Sequence, residues 1–266
     1  MSGAEFSGVT ARYYARFRRG YPDPVVDRLV EVLGLGPDSR VLDLGCGPGQ
    51  LTLPLARRVG VVIGADPEPD MLALGRLAGL AAGVDNVAWL LAADSDLDAV
   101  ATLLGRGTLT AITVGCAFHW MDCPSLFARA SFVVEPGGRV AVITNGAADW
   151  EHDTPWAQVL RTRLAAAFGG PVRGCTGTDA GSQQTLTASL AAAGFTGLEE
   201  TVVEYTEERT VEELIGSVYS AMSPGAIERL HNGAFEADLA SALADVAVEG
   251  RLTGPVRVKI ASATIR

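Results

Sequence analysis

The stretch "VLDLGCGPGQ", residues 41–50, places an apolar run and an acid ahead of glycines at 45, 47 and 49. Glycine has no Cβ, so the backbone can bend sharply there and come close to a ligand. A helix starting near Gln50 would aim its free N–H groups at whatever the turn holds. The dinucleotide fingerprint G-x-G-x-x-G needs glycine at 50 when read from Gly45, or at 52 when read from Gly47; the chain has Gln50 and Thr52. A Walker loop ends in G-K-[ST], and Lys259 is the chain's only lysine. The turn therefore reads as a cradle for a ligand that presents no phosphate to it.

Working outward, short β-rich runs alternate with helix-like stretches from residue 25 to about 145. The strands are "RVLDL", "GVVIGAD", "NVAWLLAAD", "LTAITVGCA" and "GGRVAVITN". That rhythm predicts a parallel sheet with crossover helices, and the unbroken apolar runs suit strands covered on both faces. "PVVDRLVEVL", "DMLALGRLAGLAA" and "PSLFARASFVV" supply helices. After Asn145 the rhythm breaks into an insertion, whose helix starts at Asp153 or Thr154 and ends at Gly169, Gly170 and Pro171. A Gly/Thr/Ser-rich link at 174–182 leads to a helix ending at Gly194, a strand near "LEETVVEYTEE", helical stretches at 210–222 and 224–247, and a strand "GPVRVKIASATIR". The expected fold is α/β: a Rossmann-like, doubly wound, mostly parallel seven-stranded sheet with an antiparallel edge hairpin and a helical insertion or lid. The chain reads as one domain: an N-terminal lid segment at 1–24, a cofactor-binding core at 25–145, the insertion at 146–182, and a substrate-side half at 183–266.

The 266 residues include 31 acidic against 21 basic, a net charge of −10 that opposes a phosphate backbone and argues against nucleic acid as a partner. The N-terminus lacks a signal peptide's apolar segment, and no run of about 18 apolar residues occurs, so a soluble cytoplasmic protein without a membrane partner is expected. Cys46, Cys116, Cys123 and Cys175 form no C-x-x-C pair and have no histidine at ligand spacing, so they read as free thiols with no metal site. Either a monomer or a homodimer is compatible with these features.

"VLDLGCGPGQLT" resembles the first motif of class I S-adenosylmethionine-dependent methyltransferases, and later motifs match in order over residues 14–145. "GADPEPDML" is similar to the second-strand motif, implying that Asp66 holds both ribose hydroxyls, beside Pro67, and that Met71 packs on adenine. "AADSDL" is similar to the third-strand motif, placing Asp94 at the adenine amino group and Ser95 beside it through its backbone. "CAFHWMD" and "EPGGRVAV" look like the fourth- and fifth-strand motifs of the trans-aconitate methyltransferase-like subgroup. "YARFRRGYP" resembles that subgroup's Y-x-x-x-R-P-x-Y-P stretch, implying that Tyr14 and Arg18 reach the methionine carboxylate; Arg19 stands where the pattern has proline. The resemblance implies S-adenosyl-L-methionine as cofactor, with Asp43, Gly45, Cys46, Gly47, Gly49, Cys116 and Trp120 also lining its site.

Several of these residues have simpler readings. Asp43 could satisfy local N–H groups, or orient the turn, or receive the cofactor's ammonium through water. Asp66 could cap a helix, as could Asp96 or Asp98 in place of a ligand role for Asp94. Arg18 sits among Arg12, Arg16 and Arg19, a pattern that also makes a solvated basic face. For the chemistry, His119 lies at the carboxyl end of the fourth strand and is the candidate general base, its ordinary pKa suiting proton transfer near neutrality. It could equally pack and orient Trp120. Tyr13, Tyr14, Trp150, His152 and Trp156 are candidates for gripping the acceptor. The expected activity is methyl transfer to O, N or C of a small molecule, with specialised metabolites and carboxylic acids among the candidates. A cofactor-binding protein on the same scaffold that transfers no methyl is the alternative.

Overall fold

The computed structural model describes residues 6–172, 179–230 and 233–265. Two helices, α1 (Gly8–Phe17) and α2 (Asp23–Leu33), precede β1 (Arg40–Leu44). Then follow α3 (Thr52–Ala56), β2 (Val61–Asp66), α4 (Pro69–Ala81), β3 (Val87–Leu91), α5 (Leu97–Leu104), β4 (Leu109–Gly115), α6 (Cys123–Val133) and β5 (Val134–Asn145). The remainder is α7 (Pro155–Phe168), α8 (Ala180–Ala192), β6 (Phe195–Arg209), α9 (Val211–Ser220), α10 (Pro224–Leu230), α11 (Ala234–Ala244) and β7 (Leu252–Ile265).

The described residues form a seven-stranded sheet in the order β3-β2-β1-β4-β5-β7-β6. The first five strands pair in parallel, whereas β7 runs antiparallel to both β5 and β6. The expected fold class is the observed one. The two late strands pair along their length, from Phe195↔Ile265 to Arg209↔Leu252, with α9, α10 and α11 between them in sequence. Strand order reverses between β1 and β4, and the carboxyl ends flanking such a switch point are where open α/β sheets bind ligands.

Three apolar cores follow from this arrangement. One face of the sheet packs Leu97, Leu126, Phe127, Leu186 and Leu190 from α5, α6 and α8. The other packs Val25, Val26 and Leu29 of α2 and Leu55 of α3. The third lies off the sheet: Trp150, Trp156, Leu160 and Leu164 meet Leu214, Tyr219 and Leu239. Thr154 caps α7 by accepting the Ala157 amide, and Gly169 closes it in the left-handed region at φ 73°, as the flanking sequence signals.

Some local expectations change. The stretch read as one helical run over 224–247 contains two helices, α10 and α11. The lid segment holds a helix, α1, that was not anticipated, and the run "LDAVATLL" forms α5, the helix that the acids at 94, 96 and 98 precede. The helix after the glycine turn starts at Thr52 rather than near Gln50 and lasts five residues, with Pro54 inside it. A proline there has no N–H to give and crowds the preceding turn.

Candidate functional site

The glycine turn is held against β2, with the Gly45 and Cys46 amides donating to the Ala65 carbonyl at 2.8 and 3.0 Å. Gly45, Gly47 and Gly49 have φ of 68°, 53° and 88°, a region costly for other residues. At Gly45 a Cβ would also lie 2.6 Å from Ala117 Cβ, so this position has neither conformational nor steric room for a side chain. The turn's own amides are engaged within the protein: beyond the two bonds to Ala65, Gly47 donates to Asp66 Oδ2 at 2.8 Å and Gly49 to the Cys46 carbonyl at 3.0 Å.

Asp43 is buried beneath the turn. Its Oδ2 accepts the Thr52 hydroxyl at 2.6 Å and its Oδ1 the Thr113 hydroxyl at 2.9 Å, tying α3 to β4. Burial raises its pKa to about 6 against the opposing effect of those two hydroxyls. Of the readings open to Asp43, this geometry gives it an orienting one.

Asp66 ends β2 and is also buried. Its Oδ2 accepts the Gly47 amide at 2.8 Å and its Oδ1 the Glu68 amide at 2.9 Å. Burial raises its pKa, while the two amides favour the charged form. A carboxylate offers about four lone-pair sites, so two remain for a ligand. Asp66, Pro67, Met71, Asp94, Ser95, Cys116 and Trp120 line one cleft of about 820 Å³, together with Gly45, Gly47 and Tyr14. Asp94 Oδ2 accepts the Asp122 amide at 3.0 Å, whereas Asp96 takes the local turn role by accepting the Ala93 amide at 2.8 Å. Trp120 closes the cleft beside Phe6, their ring centroids 5.8 Å apart.

A narrow inner cavity of about 50 Å³ adjoins the cleft, and Tyr14, Gly45, Gly115 and Cys116 line both. Arg18, Asp43, Cys46, Gln50, His119 and Asn145 are among its other lining residues. Cys116 sits in the left-handed region at φ 52°, and its Sγ accepts from the Tyr21 hydroxyl at 3.4 Å and the Asn145 amide at 3.2 Å. The Arg18 guanidinium lies 5.5 Å over the Tyr14 ring, with no carboxylate at ion-pair distance among the described residues. His119 Nδ1 is buried without a partner. Its pKa is lowered to about 4, chiefly by burial and then by Arg18, so the ordinary histidine value expected from sequence is not the one this site imposes.

Other candidates lie elsewhere. Trp150 and Trp156 are buried in the third core, where the Trp156 indole donates to the Thr253 carbonyl at 2.9 Å. Tyr13 packs against Tyr219 in the same region, their rings tilted and 5.1 Å apart. His152 lies 5.5 Å from Trp156 and lines a separate groove. None of the four lines the cleft or the inner cavity. Cys46, Cys116 and Cys123 are free thiols, and Cys175 lies outside the described residues. Among the described residues no cluster of His, Cys, Asp and Glu could hold a metal ion, and no helix is long and apolar enough to cross a membrane.

Gln50, Tyr21, Asn145 and Asp149 line the inner cavity without having been singled out from sequence. Gln50 Nε2 donates to the Tyr14 and Arg18 carbonyls at 3.2 and 3.4 Å, holding the end of α1 over the turn. This could have been read from the glutamine closing the glycine motif. Asn145 and Asp149 carried no such local signal. Arg19, the departure from the N-terminal pattern, bonds Glu207 at 2.8 Å and reaches Asp149 at 3.5 Å, tying this segment to β6 and the insertion.

The residues present fit S-adenosylmethionine. A carboxylate with spare lone pairs faces a cleft of small-molecule size, and a guanidinium without a carboxylate partner among the described residues and the orphaned His119 Nδ1 and Asn145 Oδ1 lie at the narrow end, where an α-amino acid terminus belongs. A family model described as a methyltransferase domain matches residues 41–138. An uncharacterized methyltransferase of Mycobacterium tuberculosis is 29% identical over 207 residues, 78% of this chain and 72% of that protein. A structure assigned as a type II methyltransferase from Anaeromyxobacter dehalogenans shares the fold at TM-score 0.64 and 22% identity, covering 94% of this chain and 98% of that one. Geranyl diphosphate C-methyltransferase from Streptomyces coelicolor, solved with Mg2+, geranyl-S-thiolodiphosphate and S-adenosyl-L-homocysteine, aligns at TM-score 0.51 and 18% identity over 91% of this chain and 75% of its own. Fold, site and likenesses together support an enzyme of the class I S-adenosylmethionine-dependent methyltransferase type. S-adenosylmethionine is its cofactor.

Proposed function

We propose that this enzyme transfers the methyl group of S-adenosylmethionine to O, N or C of a small molecule. The observation that carries this reading is the continuity of the cleft with the inner cavity across Gly45 and Cys116. At about 820 Å³ the cleft falls in the range of small-molecule sites, roughly 300–1,000 Å³. The net charge of −10 disfavours a nucleic-acid acceptor. Cytoplasmic location and a monomeric or homodimeric state belong to the same reading. So does kinship to trans-aconitate methyltransferase-like enzymes, which rests on Tyr14, Arg18, Tyr21 and Pro22 in their pattern, with Arg19 departing from it. Of the acceptors considered, a specialised metabolite or a carboxylic acid is in keeping with this kinship.

The cofactor supplies an activated methyl group on a sulfonium. The protein's work is then alignment and exclusion of water, which in favourable cases lowers a barrier by about 7–11 kcal/mol. In this reading Asp66 holds the ribose, Met71 and Asp94 flank the adenine, and Gly45 and Gly47 bring backbone close to the methionine portion. Cys46, Pro67 and Ser95 shape the walls and Arg18 with Tyr14 receives the carboxylate, whereas Gly49 lies against Trp89 and Leu53 and lines neither the cleft nor the inner cavity. His119 acts as the base where the acceptor must lose a proton: at neutral pH it is uncharged and its Nδ1 is unoccupied, so it can accept one. Trp120 and Phe6 cover the cleft against water.

The test is incubation of purified protein with methyl-labelled S-adenosylmethionine and fractionated bacterial metabolites. Label passing to a small organic product is expected. Tight cofactor binding with no labelled product across all fractions would favour the cofactor-binding alternative.

A further inference from the structure

Asn145 ends β5 beside the switch point, and every polar group on it but one is engaged. Its backbone N–H donates to Cys116 Sγ at 3.2 Å, and its carbonyl accepts from Arg19 Nη1 at 3.3 Å. Its side-chain Nδ2 donates to the Gly20 carbonyl at 3.2 Å. A carbonyl only accepts, so the nitrogen of the amide must face Gly20 and the orientation of the amide is determined. Its Oδ1 is left as an acceptor, buried and without a partner. Such an orphan bears the full desolvation penalty and calls for a donor.

Asn145 lines the inner cavity, which it shares with Arg18, and the cavity opens off the cofactor cleft at the glycine turn. At about 50 Å³ it suits a compact charged terminus. Its unmet groups are of opposite kinds: Arg18 lacks an anion, and Asn145 Oδ1 lacks a donor. An α-amino acid terminus carries both complements, a carboxylate and an ammonium.

We propose that Asn145 is a cofactor-binding residue whose Oδ1 accepts a hydrogen bond from the α-ammonium of S-adenosylmethionine, while Arg18 meets the carboxylate of the same terminus. The inference rests on the cofactor reading above and adds a residue outside the motifs that carry it. It makes Asn145 a reader of the amino-acid end alone, indifferent to the adenosine.

Calorimetry with two ligands tests this. S-adenosylhomocysteine has the amino-acid terminus; 5′-methylthioadenosine keeps the adenosine and thioether but lacks it. Asn145→Leu should lower S-adenosylhomocysteine affinity roughly tenfold or more, the effect of losing a hydrogen bond to a charged group, and leave methylthioadenosine affinity within about twofold. Asn145→Asp keeps an acceptor oxygen and adds charge, so it should bind S-adenosylhomocysteine more tightly than Asn145→Leu. This ordering remains measurable as a ratio of the two ligands if the leucine variant folds poorly. Equal losses for both ligands would make Asn145 merely structural and overturn the proposal. Weaker S-adenosylhomocysteine binding by Asn145→Asp than by Asn145→Leu would place an anion at Oδ1 and also overturn it. A wild type that binds neither ligand would overturn the cofactor reading itself, and this assignment with it.

Discussion

Asp66 at the end of β2 accepts the amide of Gly47, nineteen residues earlier in the chain, at 2.8 Å. The strand-end acid and the glycine turn are thereby one unit: the carboxylate that faces the cleft also holds the turn in its left-handed path.

Asp66→Ala should weaken S-adenosylhomocysteine binding by one to two orders of magnitude, about 1.4–2.7 kcal/mol, by removing a charge-assisted contact to the ribose. Calorimetry reads this directly. Unchanged affinity would remove Asp66 from the ribose site and leave it the task of holding the turn.

Gly45→Ala should destabilise the fold by at least about 1–2 kcal/mol, the cost of left-handed backbone for a residue with Cβ. The contact with Ala117 adds to that cost and pushes the turn into the cleft, so cofactor affinity should fall too. Denaturant unfolding and calorimetry on the same sample check both effects.

The buried Asp149–Arg209 pair makes a stability prediction. Arg209 donates to both Asp149 oxygens, at 3.1 and 2.7 Å, and Ser217 adds a third bond at 2.7 Å. Despite burial, which alone would raise it, the two arginines and Ser217 lower the Asp149 pKa from 3.8 to about 2. A depressed carboxylate contributes stability that is complete above the unfolded pKa and is lost as pH falls through the folded one. Between pH 4 and 2 the protein should therefore lose about 2 kcal/mol from this group. Arg209→Met should cost up to about 3–5 kcal/mol at neutral pH, because it removes both short guanidinium bonds and leaves the buried acid only the longer Arg19 contact and the Ser217 hydroxyl. Urea denaturation at a series of pH values measures both.

His119 separates proton removal from alignment. As a base, its loss in His119→Ala should lower turnover about a hundredfold with cofactor affinity unchanged. With a folded pKa near 4, the acid limb of the wild-type rate should fall near that pH rather than near 6.5. The same depression means that the unfolded chain binds a proton in this window and the folded one does not. Stability should then decline as pH drops from about 6.5 to about 4, a slope that His119→Ala should lessen. A mutant with full turnover and the wild-type pH profile would make His119 a packing residue.

What the sequence determined by itself is the part written in local spacing. Consecutive apolar runs gave β1 to β5, because strands covered on both faces need apolar residues on both. Three glycines at alternate positions gave the turn, because only glycine adopts that backbone freely. Missing phosphate signatures excluded two ligand classes, and the acids at 43, 66 and 94 stood at strand ends where a site belongs. The tertiary structure decided what depends on chain segments far apart in sequence. Trp156 looks like a pocket residue until α9, α11 and β7 bury it. Arg19 looks like a broken motif until β6 brings Glu207 to it. Asn145 is one asparagine at a strand end until Gly20, 125 residues away, takes its nitrogen and leaves its oxygen unpaired. The His119 pKa is likewise set by burial and by Arg18, neither of which a one-dimensional pattern contains. Periodicity and backbone freedom are properties of neighbours along the chain, whereas desolvation, ion pairing and orphaned hydrogen-bonding groups arise only once distant segments close around a residue.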